Sequence, residues 1–348
     1  MQYMGKYVPL GCTGLKVSRI AFGCGFRGIY DENEAASTIR MAIDCGVNFI
    51  DCANIYKLRS GIHAETALGK AVQGLRDKVI ITSKFGAQID ERHPTLNGSG
   101  ASRYHMVRAV EDSLRRFSTD YIDVYLLHMP DSETAYEETM RAFEQLCRDG
   151  KIRYAGLCNH NAWQITAMQE IHKRYGGCPI SVIQNPYNLL NRSAEEELFP
   201  AAAYGRLGVM AYSPLGAGLL GGAFADGRPA PEKSTWGYDP VYREYMKRVF
   251  PGRIAHIVDA VAGMARRYGV SSAVIATAWV LQNSQVTCAI SGADTMAEFA
   301  DSLKAASLEL RSEDRAELDR LSYGMREVFS HPEVQKKTAV YQEMKSEE

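Results

Sequence analysis

Seven side chains with chemical potential stand at one kind of place along this 348-residue chain, where a short apolar run gives out: Asp51 with Tyr56 just beyond it, Lys84, His128, Asn159, Gln184 and Tyr212. Each alone has a plain structural explanation. Lys84 reads as a solvated charge, His128 as a hydrogen-bonded core histidine and Asp51 as a loop cap. Two other chemistries could draw on residues of these types. A G-x-G-x-x-G of Gly23, Gly25 and Gly28, with Asp51 further on, has the spacing of a dinucleotide fingerprint, in which backbone approaches a pyrophosphate and an acid holds a ribose hydroxyl. In that fingerprint the third glycine already lies in a helix. Here the better helix start is Asp31-Glu32-Asn33-Glu34, an acidic variant of a capping box, which leaves the glycines in a loop. A metal-dependent hydrolase needs clustered His and carboxylate ligands, and His128 and His160, with no H-x-H or H-E-x-x-H, do not supply them.

The elements that must carry these residues alternate from end to end. Strand candidates are Arg19–Gly23, Val47–Ala53, Lys78–Phe85, Ile122–His128, Tyr154–Asn159, Ser181–Tyr187, Gly208–Pro214 and Thr287–Gly292. Amphipathic stretches lie between them, several closing on glycine, as at Gly46, Gly150 and Gly176. Ser193 and Glu196 fit a capping box, with Pro200 expected to break that segment in two; further helices are expected over Ile254–Gln282 and Met296–Ala306. Eight strands alternating with helices predict an α/β fold, a (β/α)8 TIM barrel, here with an N-terminal β-hairpin, a long loop after the seventh strand and a C-terminal tail. A single domain over 1–348 is expected, with its core at about 7–323 and its tail at about 324–348. Such a barrel gathers strand-end side chains in one mouth, which makes the seven hard to dismiss together.

Composition narrows the function classes. The chain is 46% hydrophobic and 23% charged with a formal net charge of -1, which argues against a nucleic-acid surface. The first residues lack the apolar core of a signal peptide and no apolar run reaches bilayer length, so no membrane partner and a cytoplasmic location are expected. The eight cysteines are scattered without a C-x-x-C pair and are expected as reduced, mostly buried thiols.

In sequence order, "FIDCANIY", "ITSKFG", "YLLHMPD", "GLCNH", "IQNPYN" and "AYSPLGAGLL" resemble the signature segments of the aldo-keto reductases, and the resemblance runs from roughly Tyr7 to Leu310. It implies an NAD(P)-dependent oxidoreductase acting on a small-molecule aldehyde, ketone or sugar carbonyl, or the matching alcohol. Its catalytic residues would be Asp51, Tyr56, Lys84 and His128, with no metal. The cofactor would be met by Gly23, Asp51, Asn159, Gln184, Tyr212, Ser213, Leu215, Gly218, Gly292, Asp294 and Glu298. Asn159 and Gln184 would hold the nicotinamide carboxamide and Tyr212 would stack on its ring. The chemistry agrees: a phenol with a reference pKa of about 10 needs help to exchange a proton at neutral pH, and a lysine beside it lowers that pKa. Asp51 would keep Lys84 charged, and His128 would bond the substrate oxygen.

The chain departs from the family in several places. Lys57 replaces a common glycine after the tyrosine, Cys158 a common serine, and Ser291-Gly292 the usual Pro-Gly. Where many relatives carry an Arg or Lys for the 2'-phosphate of NADPH, this chain has Asp294, then Glu298 and Asp301. Carboxylates repel a phosphate and accept from a ribose hydroxyl, which favours NAD(H) slightly over NADP(H); Arg228 remained a route to the phosphate. Phe26, Tyr30, Tyr187, Trp236, Tyr238 and Tyr242 are candidates for an apolar mouth, or for loop packing and subunit contact. Arg27, Lys57 and Arg59 suit a hydroxylated or anionic substrate. A homo-oligomer is possible. The alternative reading is a redox-sensing or regulatory binding subunit that keeps its cofactor without turnover, as the β-subunits of potassium channels resemble this family.

Overall fold

A computed structural model describes residues 2–89, 95–229, 231, 236, 247, 250 and 252–326. Eight parallel strands close into a barrel: β3 (Ile20–Gly23), β4 (Phe49–Asp51), β5 (Ile80–Phe85), β6 (Ile122–Leu127), β7 (Ile152–Cys158), β8 (Ile180–Pro186), β9 (Gly208–Tyr212) and β10 (Cys288–Gly292), with β10 returning to pair with β3. Each of the eight expected runs contributes one strand, so the (β/α)8 expectation holds. A two-stranded antiparallel hairpin, β1 (Tyr7–Pro9) and β2 (Lys16–Ser18), precedes them.

Strand alternation sorts the side chains into two layers. Ala21, Phe49, Val124, Leu126, Cys158, Val182, Met210, Cys288 and Ile290 pack together with Leu10 and Val17 of the hairpin region. The hairpin therefore plugs one end of the barrel with Leu10 and Val17, both at 0% exposure. Tyr154 Oη fastens it by donating to the Thr13 carbonyl at 2.9 Å. A larger cluster, including Ile39, Leu68, Val110, Phe143, Ile257 and Phe299, joins the outer face of the sheet to the helices.

The helices start where their caps lie. The Asp31 side chain accepts from the amides of Asn33 and Glu34 and opens Glu32–Asp44; that helix buries Ala35, Ile39 and Ala42 along one stripe. Ser102 and Thr295 cap Arg103–Phe117 and Met296–Ala305 in the same manner.

Three expectations need correction. Ser193 opens no capping box: it begins a single 3-10 turn, Ser193–Glu195, with no side-chain cap. The segment does divide, but before Pro200, which stands in the first turn of Leu198–Gly205, where its missing N–H costs nothing. The stretch expected as one helix over 254–282 is two, Arg253–Tyr268 and Ser272–Leu281, because Gly269 turns left-handed at φ 65 and Ser271 caps anew. A further helix, Ser312–Ser322, follows without a counterpart in the expectations. The start of the tail is held, since the Arg192 amide donates to the Met325 carbonyl at 2.7 Å. Residues 327–348, with part of the insertion after β9, including Tyr238 and Tyr242, lie outside the described residues.

Candidate active site

β4 ends on Asp51, which pairs with Thr82 of β5, and the two-residue period of β5 turns Thr82 and Lys84 the same way. Both reach the Asp51 carboxylate: Thr82 Oγ1 donates to Oδ1 at 2.5 Å, and Lys84 Nζ donates to Oδ1 at 3.0 Å and Oδ2 at 2.8 Å. From across the barrel Gln184 Nε2 also donates to Oδ1, at 2.8 Å. Lys84 is fully buried and gives another bond to the Cys52 carbonyl at 2.7 Å. An ion pair this deep is sustainable only when its hydrogen bonds are filled, and these are.

Tyr56 comes back over the pair after a turn closed by its amide on the Ala53 carbonyl at 3.1 Å. Its hydroxyl lies 3.5 Å from Lys84 Nζ, and the ammonium sits 4.9 Å from the ring centroid. His128, at the exit of β6, meets the Tyr56 ring edge-on with centroids 6.1 Å apart. Gly25 passes the other side of the phenol, where a Cβ would come 3.8 Å from Cε2. The glycine run after β3 is thus a loop beside the mouth, with Gly28 ahead of the helix as the sequence implied.

The electrostatics differ from expectation in one respect. Burial pushes the Tyr56 phenol up to about 12; Lys84 pulls it down, as expected, but does not win. For Lys84 burial works against the charge, yet Asp51, joined by the nearby Tyr56 and Cys158, outweighs it and holds the amine above the usual lysine value. At neutral pH Lys84 is therefore an ammonium and Tyr56 a neutral phenol.

The amides stand nearby. Asn159, at φ 62, donates from Nδ2 to the His128 carbonyl at 3.0 Å and accepts from Tyr212 Oη at 2.7 Å. Beyond Tyr212 the backbone turns left-handed at Ser213, Gly216, Ala217, Gly218 and Gly222, and nothing lies within 4 Å of where a Cβ on Gly218 would stand. Leu215 is half-buried on the core beside them. Across the seam, Gly292 registers with Gly23.

Asp294 has a task that the sequence did not disclose. Its Oδ1 accepts from the Arg27 amide at 2.9 Å and its Oδ2 from the Gly28 amide at 2.7 Å, while Glu298 Oε2 accepts from the Asp294 amide at 3.0 Å. Arg228 turns its guanidinium to the carbonyls of Ala225 and Gly222, at 2.9 and 3.0 Å. Arg27, Lys57 and Arg59 are exposed. Among the aromatics, Tyr30 is 66% exposed, whereas Tyr187 is buried with its ring stacked on Trp279 at 5.2 Å, in the packing and not on a rim. Trp236 is also buried, and its indole N–H donates to the Ala217 carbonyl at 2.9 Å.

Two residues were missed. Thr82 was legible as the residue two before Lys84 on one strand. Glu65 carried no such signal: it is wholly buried, accepts from Ser83 Oγ at 2.5 Å and from Arg116 Nε at 2.6 Å, and steadies β5 one residue before Lys84.

Comparison with known proteins places this geometry. The sequence profile of the aldo/keto reductase family matches residues 19–322. The chain is 33% identical over 315 residues to a Bacillus subtilis protein named uncharacterized oxidoreductase YrpG, covering 88% of this chain and 93% of that one. It is 32% identical to a rice protein named probable voltage-gated potassium channel subunit beta, with 86% and 90% covered. To a fission yeast protein named putative aryl-alcohol dehydrogenase it is 30% identical, with 88% and 93% covered.

Proposed function

The chain belongs to the aldo/keto reductase family, and from that premise we propose that it moves a hydride between a nicotinamide dinucleotide and an aldehyde, ketone or sugar carbonyl, or the matching alcohol, with Tyr56 as general acid and base. The observation that carries this reading is the Lys84 ammonium, held 2.8 Å from Asp51 and 3.5 Å from the Tyr56 hydroxyl.

The donor set fits the cofactor. Asn159 and Gln184 each offer an N–H and a carbonyl, the complement of a carboxamide, and the left-handed run from Ser213 to Gly222 leaves open space at Gly218 for backbone to approach a phosphate. Receiving the carboxamide would take Asn159 from its bond with Tyr212 and Gln184 from its bond with Asp51, and the Tyr212 ring would lie against the nicotinamide. Asp294 and Glu298 offer carboxylates where a 2'-phosphate would need cations, so NAD(H) is the preferred form. When bound, the dinucleotide supplies or takes up the hydride.

The protein's own work is on the proton. A phenol with its pKa at about 12 is neutral at pH 7 and has a proton to give as the substrate oxygen gains charge. Lys84 then holds the phenolate left behind, and Asp51 keeps Lys84 charged and aimed. His128, edge-on to Tyr56, donates to the same oxygen and orients it. In the direction of alcohol oxidation the phenolate takes the proton back. Exposed Arg27, Lys57 and Arg59 favour a hydroxylated or anionic carbonyl.

The test is single-turnover oxidation of protein-bound NADH, followed by absorbance, against aldehydes, ketones and ketoses. One carbonyl class oxidising it rapidly supports the reading and names the substrate class. If NADH binds and no carbonyl oxidises it above background, the protein is a sensor or binding subunit instead. Tighter binding of NADPH than of NADH would overturn the cofactor preference.

A further inference from the structure

Two thiols meet at the opposite end of the barrel from the strand-end site. Cys147 is in the last turn of the helix Tyr136–Arg148, which leads into β7, and Cys178 stands two residues ahead of β8. Both therefore lie where strands begin, whereas Lys84, Asn159 and Gln184 lie where strands end. Their sulfurs are 2.6 Å apart, although 31 positions separate them in sequence. Cys147 is half-buried and Cys178 is 7% exposed, so the pair is shielded but not sealed. A disulfide requires about 2.05 Å between sulfurs, a closing movement of about half an ångström. The chain on both sides turns through glycines at positive φ, Gly150 at 72 and Gly176 and Gly177 at 75 and 100, which leaves the two backbones free to adjust.

We propose that Cys147 and Cys178 are a site of reversible oxidation that closes a disulfide when the chain meets hydrogen peroxide. The Cys178 sulfur attacks the peroxide oxygen, the O–O bond breaks and one water leaves, giving a sulfenic acid. The Cys147 sulfur then displaces the hydroxyl from that sulfur, and a second water leaves with the S–S bond formed. Two thiols lose two protons and two electrons, and one hydrogen peroxide takes them up as it becomes two waters; a small dithiol reverses the process. The order of attack follows from the contact. Cys147 donates its S–H to Cys178, and this bond holds the Cys178 thiol below its ordinary pKa despite burial, while raising that of Cys147. The thiolate is the nucleophile, so Cys178 reacts first. Hydrogen peroxide is also small enough to reach a sulfur at this depth.

The test uses the whole chain, reduced, freed of reductant and treated with hydrogen peroxide, then alkylated under denaturing conditions and mapped by peptide mass. The expected result is a linked pair of peptides carrying Cys147 and Cys178, lighter by two hydrogens and restored by dithiothreitol. In Cys147→Ser, Cys178 is expected to yield a sulfenic acid trapped by dimedone. Both thiols remaining alkylatable at a peroxide dose that oxidises exposed Cys12 would overturn the proposal, as would linkage to any other cysteine. The wild-type map decides the matter even if the variant does not fold.

Discussion

In the proposed mechanism Tyr56 acts as an acid because Lys84 stands ready for the charge left behind. Tyr56→Phe is expected to lower turnover by at least about 10²-fold while changing NADH affinity little, measured by single-turnover absorbance and by fluorescence titration. Wild-type turnover in that variant would remove Tyr56 from the mechanism. Much of this was legible: four titratable residues at three strand ends are a pattern in one dimension that a barrel converts into a cluster. The balance of the field was not legible, because the pKa of the phenol depends on how deeply the ring is buried, and no spacing reports depth. His160 makes the same point. Its Nδ1 lies 2.8 Å from the Cys158 carbonyl and burial depresses its pKa from 6.5 to about 4. The sign follows: the folded chain resists protonating it, so its stability is complete above pH 6.5 and drains as pH falls through about 4. Between pH 7 and 4.5 the wild type should lose roughly 2 kcal/mol more than His160→Gln, read from urea midpoints.

At the scale of elements, the hairpin and the helices show where periodicity suffices and where it does not. Eight apolar runs became eight strands because each had to be buried on both faces, and that requirement is written in composition. The split at Gly269 and the position of Pro200 were misjudged for one reason: a breaker residue marks that something changes, while the caps around it decide on which side. The contact of the hairpin with the barrel was also invisible, since Leu10 and Gly208 meet only in three dimensions. A Cβ on Gly208 would fall 2.6 Å from Leu10 Cδ1, so the plug is fitted to a bare backbone. Leu10→Ala should cost about 2–4 kcal/mol by leaving a void under the barrel, measured by denaturant unfolding. Glu65 tells a similar story, its charge shared between a helix and a strand. Glu65→Gln should destabilise the fold by about 2 kcal/mol, less than a fully buried pair because Arg116 retains some exposure, and should lower turnover through the loosened β5.

For the molecule as a whole, the decisive event is closure of the ring between β10 and β3. Arg19, just before β3, reaches the carbonyls of Val286 and Thr287 at 2.9 and 3.4 Å and so laces the first barrel strand to the approach of the last. Arg19→Ala should lower stability by about 1.5–3 kcal/mol, and hydrogen exchange should quicken along β10 before it does along β6. At the other end of the same seam, Asp294 holds the amides of Arg27 and Gly28. One side chain thus fixes the order of the loop after β3 and, in the proposed function, also sets the charge beside the ribose. Replacing it by arginine to welcome a phosphate would also release both amides, so in the proposed function a change of coenzyme preference at this position is coupled to unfastening the loop beside the mouth. A second substitution that ties the loop anew would have to accompany such a change.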